Sequence, residues 1–317
     1  MTEISPYIHD LGQGQKLYAY SLDPKIGQDS LTKLVCSLDG KNIEDFEELS
    51  RTIVNTDRLT NISELELIVR EGNYSVPEVL KLYKEAIGKK WDSEGKFNGP
   101  VIIATDEITT PMNVIQGGYY DYAATRLDGK PWELLPEIYR EGETIEEILL
   151  KNQLSLDFRA RYFGLGHLLF ASNGCEFLLI QRAKGVGIAE NCIATPGSTP
   201  DLVLKNLEYG GSNFDLGHYW SHHLAEEMKE EFKLKWGEFN IGEVYLYDDR
   251  KLCPFGVIKI TTKLSVKELV QRMHGDLGIL KEHTILYKMN IDTIPVFLDK
   301  FPVFRGIRIA IPDMINK

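Results

Sequence analysis

Two hydrophobic periods alternate along the chain. In the C-terminal half, Phe163–Phe170 (FGLGHLLF) and Glu176–Arg182 (EFLLIQR) are short apolar runs. The Gly-containing segment Ala171–Cys175 between them predicts a β-hairpin. Asn191–Thr195 predicts a short strand leading into a Pro-Gly turn within Ala194–Ser198, and Thr199–Gly217 reads as an insertion. Gly242–Asp248, Phe255–Thr262 and Thr284–Asn290 predict further strands. Ser265–Met273 predicts a helix, because Ser265 and Glu268 have the spacing of a capping box. Ile291–Phe301 reads as another helix.

In the N-terminal half the glycines at 12, 14 and 27 and Pro24 make Met1–Asp29 read as irregular. Leu31–Ser37, Leu65–Arg70 and Val101–Thr105 predict strands. Ile43–Ile53, Val76–Ile87 and Gly142–Leu156 predict helices, with Asn42 and Ser75 as candidate N-caps. Tyr119, Tyr120 and Tyr122 cluster within Gly117–Arg126, and core packing or an interdomain surface is the expected use. The pattern predicts a boundary near Gln153–Phe158. It divides the chain into an N-terminal mixed α/β accessory domain, 1–155, and a second domain, 156–317. The class is α/β of the α+β kind.

The stretch Tyr219–Leu234 (YWSHHLAEEMKEEFKL) contains neither Gly nor Pro, so nothing in it breaks a helix. At about 100° per residue, Trp220, Leu224, Ala225, Met228 and Phe232 share one face. Glu227, Glu230 and Glu231 fall on neighbouring turns, and Glu231 falls inside the apolar sector. A carboxylate there costs free energy unless a positive group pairs with it. A hard divalent cation is one such partner. An ordinary acidic surface helix is the competing reading. His218 and His222 share a face at zinc-ligand spacing, but no third ligand accompanies them, and ordinary hydrogen-bonded or exposed histidines are the better expectation.

Composition narrows the partners. The 317 residues carry a formal net charge of −11. Residues 1–155 hold 27 acidic and 16 basic side chains, so the whole surplus sits there. Such a half repels a polyanion, so stable nucleic-acid binding is not expected. The four cysteines form no CxxC pair, which indicates neither a zinc ribbon nor a disulfide framework. No apolar run approaches the ~20 residues of a membrane span, and Met1–Asp10 lacks the pattern of a signal peptide. A cytoplasmic protein without membrane contact is expected, and a homodimer is compatible with the composition.

The segment EEMKEEFKL resembles the tail of the Nudix box, G-x5-E-x7-R-E-U-x-E-E-x-G-U, where U is a bulky apolar residue. Glu227 matches the Glu of its "RE", Met228 the first U, Glu230 and Glu231 the "EE" pair, and Leu234 the last U. The sequence departs from the box at Glu226 (family Arg), Lys233 (family Gly), His218 (the isolated Glu) and Ser212 (the leading Gly). FLLIQRAKG is similar to the family's second strand and its following basic residues, and PGS to its Pro-Gly-Gly turn. The resemblance covers about Phe158–Ile315 and implies a mixed sheet sandwiched between helices.

It also implies a metal-dependent pyrophosphohydrolase acting on a nucleotide-type diphosphate. Mg²⁺ or Mn²⁺ would be held by Glu227, Glu231 and Glu230. Glu230 and Glu231 would be the catalytic carboxylates, with Glu230 as third ligand or water-orienting base. Arg182 and Lys184, at a strand end, can meet phosphate oxygens. The alternative is a non-catalytic Nudix-fold nucleotide sensor or interaction module, which Glu226, His218 and Lys233 favour.

Overall fold

The computed structural model describes residues 4–41, 51–95, 98–106, 108–127, 129–183, 192–195, 197–198, 216–250 and 253–315. The strands are β1 (Tyr7–Gly12), β2 (Gln15–Ser21), β3 (Ile53–Leu59), β4 (Leu67–Asn73), β5 (Pro100–Ala104), β6 (Met112–Gly118) and β7 (Arg161–Tyr162). They continue as β8 (Gly164–Ala171), β9 (Glu176–Arg182), β10 (Ile193–Ala194), β11 (Gly197–Ser198), β12 (Phe239–Asp249), β13 (Pro254–Thr262) and β14 (His283–Asn290). The α-helices are α1 (Gln28–Leu38), α2 (Lys81–Ser93), α3 (Tyr119–Thr125), α4 (Ile145–Lys151) and α5 (Leu216–Phe232). They are followed by α6 (Val266–Met273), α7 (Leu277–Glu282), α8 (Ile294–Lys300) and α9 (Arg305–Ile315).

A ten-stranded sheet runs β1-β2-β14-β9-β8-β13-β12-β3. It is mixed, because β8 and β13 run parallel while their other neighbours are antiparallel. The hairpin β8–β9 pairs through Leu169↔Leu178 to Ala171↔Glu176. Beyond that point β10 pairs with β9 and β11 with β8. The sheet therefore forks at the end where β9 terminates in Arg182.

Both faces are buried, and the alternation of side chains along each strand decides which residue goes where. On one face Leu178, Ile180, Leu246, Ile258, Ile260 and Leu286 pack with Leu224, Met228 and Phe232 of α5. On the other, Phe177, Leu179, Tyr245, Tyr247, Ile285 and Tyr287 pack with α1, α8 and α9. The result is an α+β fold with helices on both sides of a large mixed sheet. Among the described residues no helix is long and apolar enough to cross a membrane.

A second sheet, β4-β6-β5-β7, has four strands. Ile102, Ala104, Met112 and Val114 join the same core as α5, so the two sheets share one apolar interior. The tyrosine cluster closes its other side. Tyr122 and Tyr162 lie 5.1 Å apart between ring centres with their planes tilted by 34°, in a cluster with Ala160 and Cys253.

The N-terminal half differs most from the sequence expectation. Residues 7–21 form a hairpin whose turn holds Gly12, Gln13 and Gly14 at φ 90, 53 and 78. Gly12 and Gly14, which read as interruptions, are left-handed residues the turn requires. Leu31–Ser37 lies within α1, not in a strand, because Leu31, Val35 and Leu38 recur at helical spacing and bury against β1 and β2. Of the expected Ile43–Ile53 helix, residues 43–50 lie outside the described residues, 51–52 are helical and Ile53 opens β3. β2 pairs with β14 and β3 with β12, while β7 pairs with β5. Each sheet thus holds strands from both sides of residues 153–158.

Helix α5 is fixed by its apolar face. Leu224 is 2% exposed, and Met228 and Phe232 are fully buried. Each such side chain contributes roughly 1.5–3 kcal/mol of burial. The helix ends where Lys233 turns left-handed at φ 56 and the Leu234 N–H returns to the Met228 carbonyl at 3.1 Å. We expect Met228→Ala to destabilise the protein by about 2–5 kcal/mol, and Glu226→Ala, at an exposed site, to change it by less than about 0.5 kcal/mol. Urea unfolding of the two variants checks the contrast.

Candidate metal and diphosphate site

Three elements meet at the forked end of the large sheet. The first is the last two turns of α5. Because Leu224, Met228 and Phe232 face the sheet, Glu227 and Glu231 are carried down beside them, one turn apart. Glu231 is only 11% exposed, as its place in the apolar sector requires. Glu230, about 100° further round, is exposed on the flank. Glu226 is exposed as well and pairs with Lys229 at 3.2 Å.

The second element is the junction of α7 and β14. Asp276 caps α7 by accepting from the N–H groups of Gly278 and Ile279 at 3.0 and 3.1 Å. Glu282 ends that helix and is exposed, and His283 opens the strand with its side chain 1% exposed. Nε2 of the imidazole meets the Glu231 carboxylate. The third element is the end of β9. Arg182 stands opposite His283 in the β9–β14 ladder. The Ala183 N–H donates to the Glu282 carbonyl at 2.7 Å, which ties this strand end to the junction.

Ion pairs brace the frame. Lys233 reaches Asp276 at 3.1 Å, tying the end of α5 to the start of α7. Arg272 grips Glu238 through both oxygens at 2.6 and 3.0 Å and donates to the Lys233 carbonyl at 3.2 Å. The bidentate Arg272 holds the Glu238 carboxyl down at about 2.

The site is electrostatically strained in the sense expected of crowded carboxylates. Burial first, then the neighbouring charges of Glu231, Glu230 and Glu282, raises the Glu227 carboxyl to about 8. The carboxylates of Glu231 and Glu282 and the imidazole of His283 offer ligand atoms that all lie within 4.8 Å of one another. His283 Nδ1 is buried without a hydrogen-bond partner among the described residues. Two carboxylates beside a buried imidazole are a donor set that fits a divalent cation.

Of the residues singled out in the sequence, Glu227, Glu230, Glu231 and Arg182 lie on elements that meet here. Glu231 converges with Glu282 and His283 rather than with Glu230, which the helical twist turns outward. Lys184, Ser212 and the insertion 199–215 lie outside the described residues, as do the side chains of His218, His222 and His223. Glu282 and His283 escaped sequence reading. Their one signal is a Glu-His pair immediately ahead of the strand TILYKMN.

No family model matches the sequence, and no curated protein matches it. Among solved structures the chain is similar to a C. elegans Ap4A hydrolase in a binary complex, at 16% identity and a TM-score of 0.27. The match covers 48% of this chain and 93% of that one.

The raised Glu227 carboxyl gives a pH prediction. A carboxyl that binds its proton more tightly when folded stabilises the fold at low pH and loses that contribution as pH rises. Metal-free protein is therefore expected to lose stability between the ordinary carboxyl value of 4.5 and about 8. Glu227→Gln should flatten this decline in chelator-treated samples melted across pH 4–9. Equal slopes for the two proteins would mean that Glu227 is not desolvated in the fold.

Proposed function

We propose that this protein is a divergent, metal-dependent pyrophosphohydrolase of the Nudix type acting on a nucleoside diphosphate derivative. The observation that carries the reading is the crowding of Glu227, Glu231 and Glu282 at a sheet end that also presents Arg182. Negative charge gathered and partly desolvated in this way is stabilised by a bound cation. The sequence order of hairpin, Pro-Gly turn and carboxylate helix supports the same reading.

Glu231 would hold the ion, with Glu227 and Glu230 as the further ligands that the box resemblance implies. A bound Mg²⁺ or Mn²⁺ supplies electrophilic stabilisation of diphosphate oxygens. Arg182 would grip a phosphate through two N–H donors and orient the scissile bond. Glu230, exposed on the flank of α5, would position a water and take its proton. Lys184 is the second proposed phosphate contact.

The second reading, a nucleotide sensor that keeps the fold without turnover, is favoured by one observation. Glu226 stands where the family has Arg, and it is exposed and paired with Lys229. It cannot neutralise its neighbours.

A release assay over a panel of nucleoside diphosphate derivatives, with and without Mg²⁺ or Mn²⁺, decides between the two. The hydrolase reading expects metal-dependent release from at least one derivative, falling by at least about 100-fold in Glu231→Gln. Metal-bound protein that binds nucleotides but releases nothing supports the sensor. The ligand roles have a separate check. Mg²⁺ or Mn²⁺ is expected to raise the melting temperature of the wild type, and the double variant Glu227→Gln, Glu231→Gln to lose that rise. Equal melting with and without metal in both proteins would return α5 to an acidic surface helix.

A further inference from the structure

The geometry points to a mixed nitrogen–oxygen metal site formed by Glu231, Glu282 and His283, which selects a first-row transition ion over Mg²⁺. Two of these residues lie outside the motif-like helix, so the inference comes from the meeting of α5 with the α7–β14 junction. It deepens the hydrolase reading at the same helix and rests on it only for the purpose of the ion.

The placement is specific. Glu231 comes from α5, and Glu282 and His283 are consecutive residues on either side of a helix-to-strand change. Their ligand atoms lie within 4.8 Å of one another. Metal bonds of about 2.1 Å join donors up to about 4.2 Å apart, so a small side-chain rotation closes the set. His283 is 1% exposed and faces the carboxylate with Nε2, while Nδ1 has no partner among the described residues. A buried imidazole that serves only as a hydrogen-bond donor to Glu231 would use one of its two nitrogens, and that is the competing reading.

The donor chemistry sets the preference. Mg²⁺ takes oxygen ligands and keeps most of its waters. Imidazole suits borderline ions, whose affinity for such sites rises from Mn²⁺ through Co²⁺. Exposed Glu282 lets the site open to solvent on one side, which leaves coordination positions for water or a phosphate oxygen.

The test is calorimetric titration of the full chain, stripped by a chelator, with Mg²⁺, Mn²⁺ and Co²⁺. The wild type is expected to bind Co²⁺ at least about tenfold more tightly than Mg²⁺. His283→Gln should remove about tenfold or more of the Co²⁺ affinity and leave Mg²⁺ within about twofold. Equal Co²⁺ affinity in wild type and His283→Gln, or equal Mg²⁺ and Co²⁺ affinity in the wild type, overturns the assignment and leaves a plain His–Glu hydrogen bond. If His283→Gln does not fold, the exposed Glu282→Gln carries the test, with an expected loss of about tenfold in Co²⁺ affinity. Unchanged affinity there overturns it equally. Turnover with Mg²⁺ but no Co²⁺ preference sinks this site and spares the hydrolase reading. Selective Co²⁺ binding without turnover does the reverse.

Discussion

The structure depends on one constraint: the apolar face of α5 can bury against the sheet only by carrying two glutamates down with it. Leu224, Met228 and Phe232 fill the space between the two sheets, where Ile102, Met112 and Val114 meet Leu178, Ile180 and Leu286. Helical geometry then leaves Glu227 and Glu231 only partly in contact with water. Glu227 responds by holding its proton up to about 8. Glu231 meets His283 instead. The functional proposals follow from this competition between apolar burial and carboxylate solvation.

The same burial draws on both halves of the sequence. The strands β1 to β3 complete the large sheet on both edges. The four-stranded sheet contributes to the core under α5. Arg161 carries the connection further, pairing with Asp248 at 2.8 Å and donating to the Asp106 carbonyl at 2.8 Å. The Arg161 and Asp248 side chains are 10% and 22% exposed, so losing one would leave the other's charge partly desolvated without its partner. The acidic surplus of residues 1–155 thus sits on a chain segment that wraps the C-terminal strands.

Much of the C-terminal half was legible because its signals are local. The hairpin of β8 and β9, the Ser265–Glu268 capping box and the strands at 254–262 and 283–290 each announce themselves within ten residues or so. The N-terminal hairpin was not read, since Gly12 and Gly14 look the same in sequence whether they end structure or turn it. Leu31–Ser37 reads as a strand, whereas Leu31, Val35 and Leu38 bury at helical spacing in the same core as Leu17 and Ala19. In the site, the glutamates of α5 were visible from their period. Glu282 and His283 were not, because Glu282 lies 51 positions after Glu231 and only the meeting of α5 with the α7–β14 junction brings them together.

Crystals of the full chain soaked in Mn²⁺ give the most direct measurement of the central claim, that the α5 carboxylates are buried to hold a cation. The anomalous difference map should show one strong peak within bonding distance of the Glu231 carboxylate, on the side facing Glu282 and His283. A map without a peak there, at Mn²⁺ concentrations that label other acidic groups on the surface, would contradict the claim. It would leave α5 a helix whose buried glutamates are balanced by protons and by the His283 hydrogen bond alone.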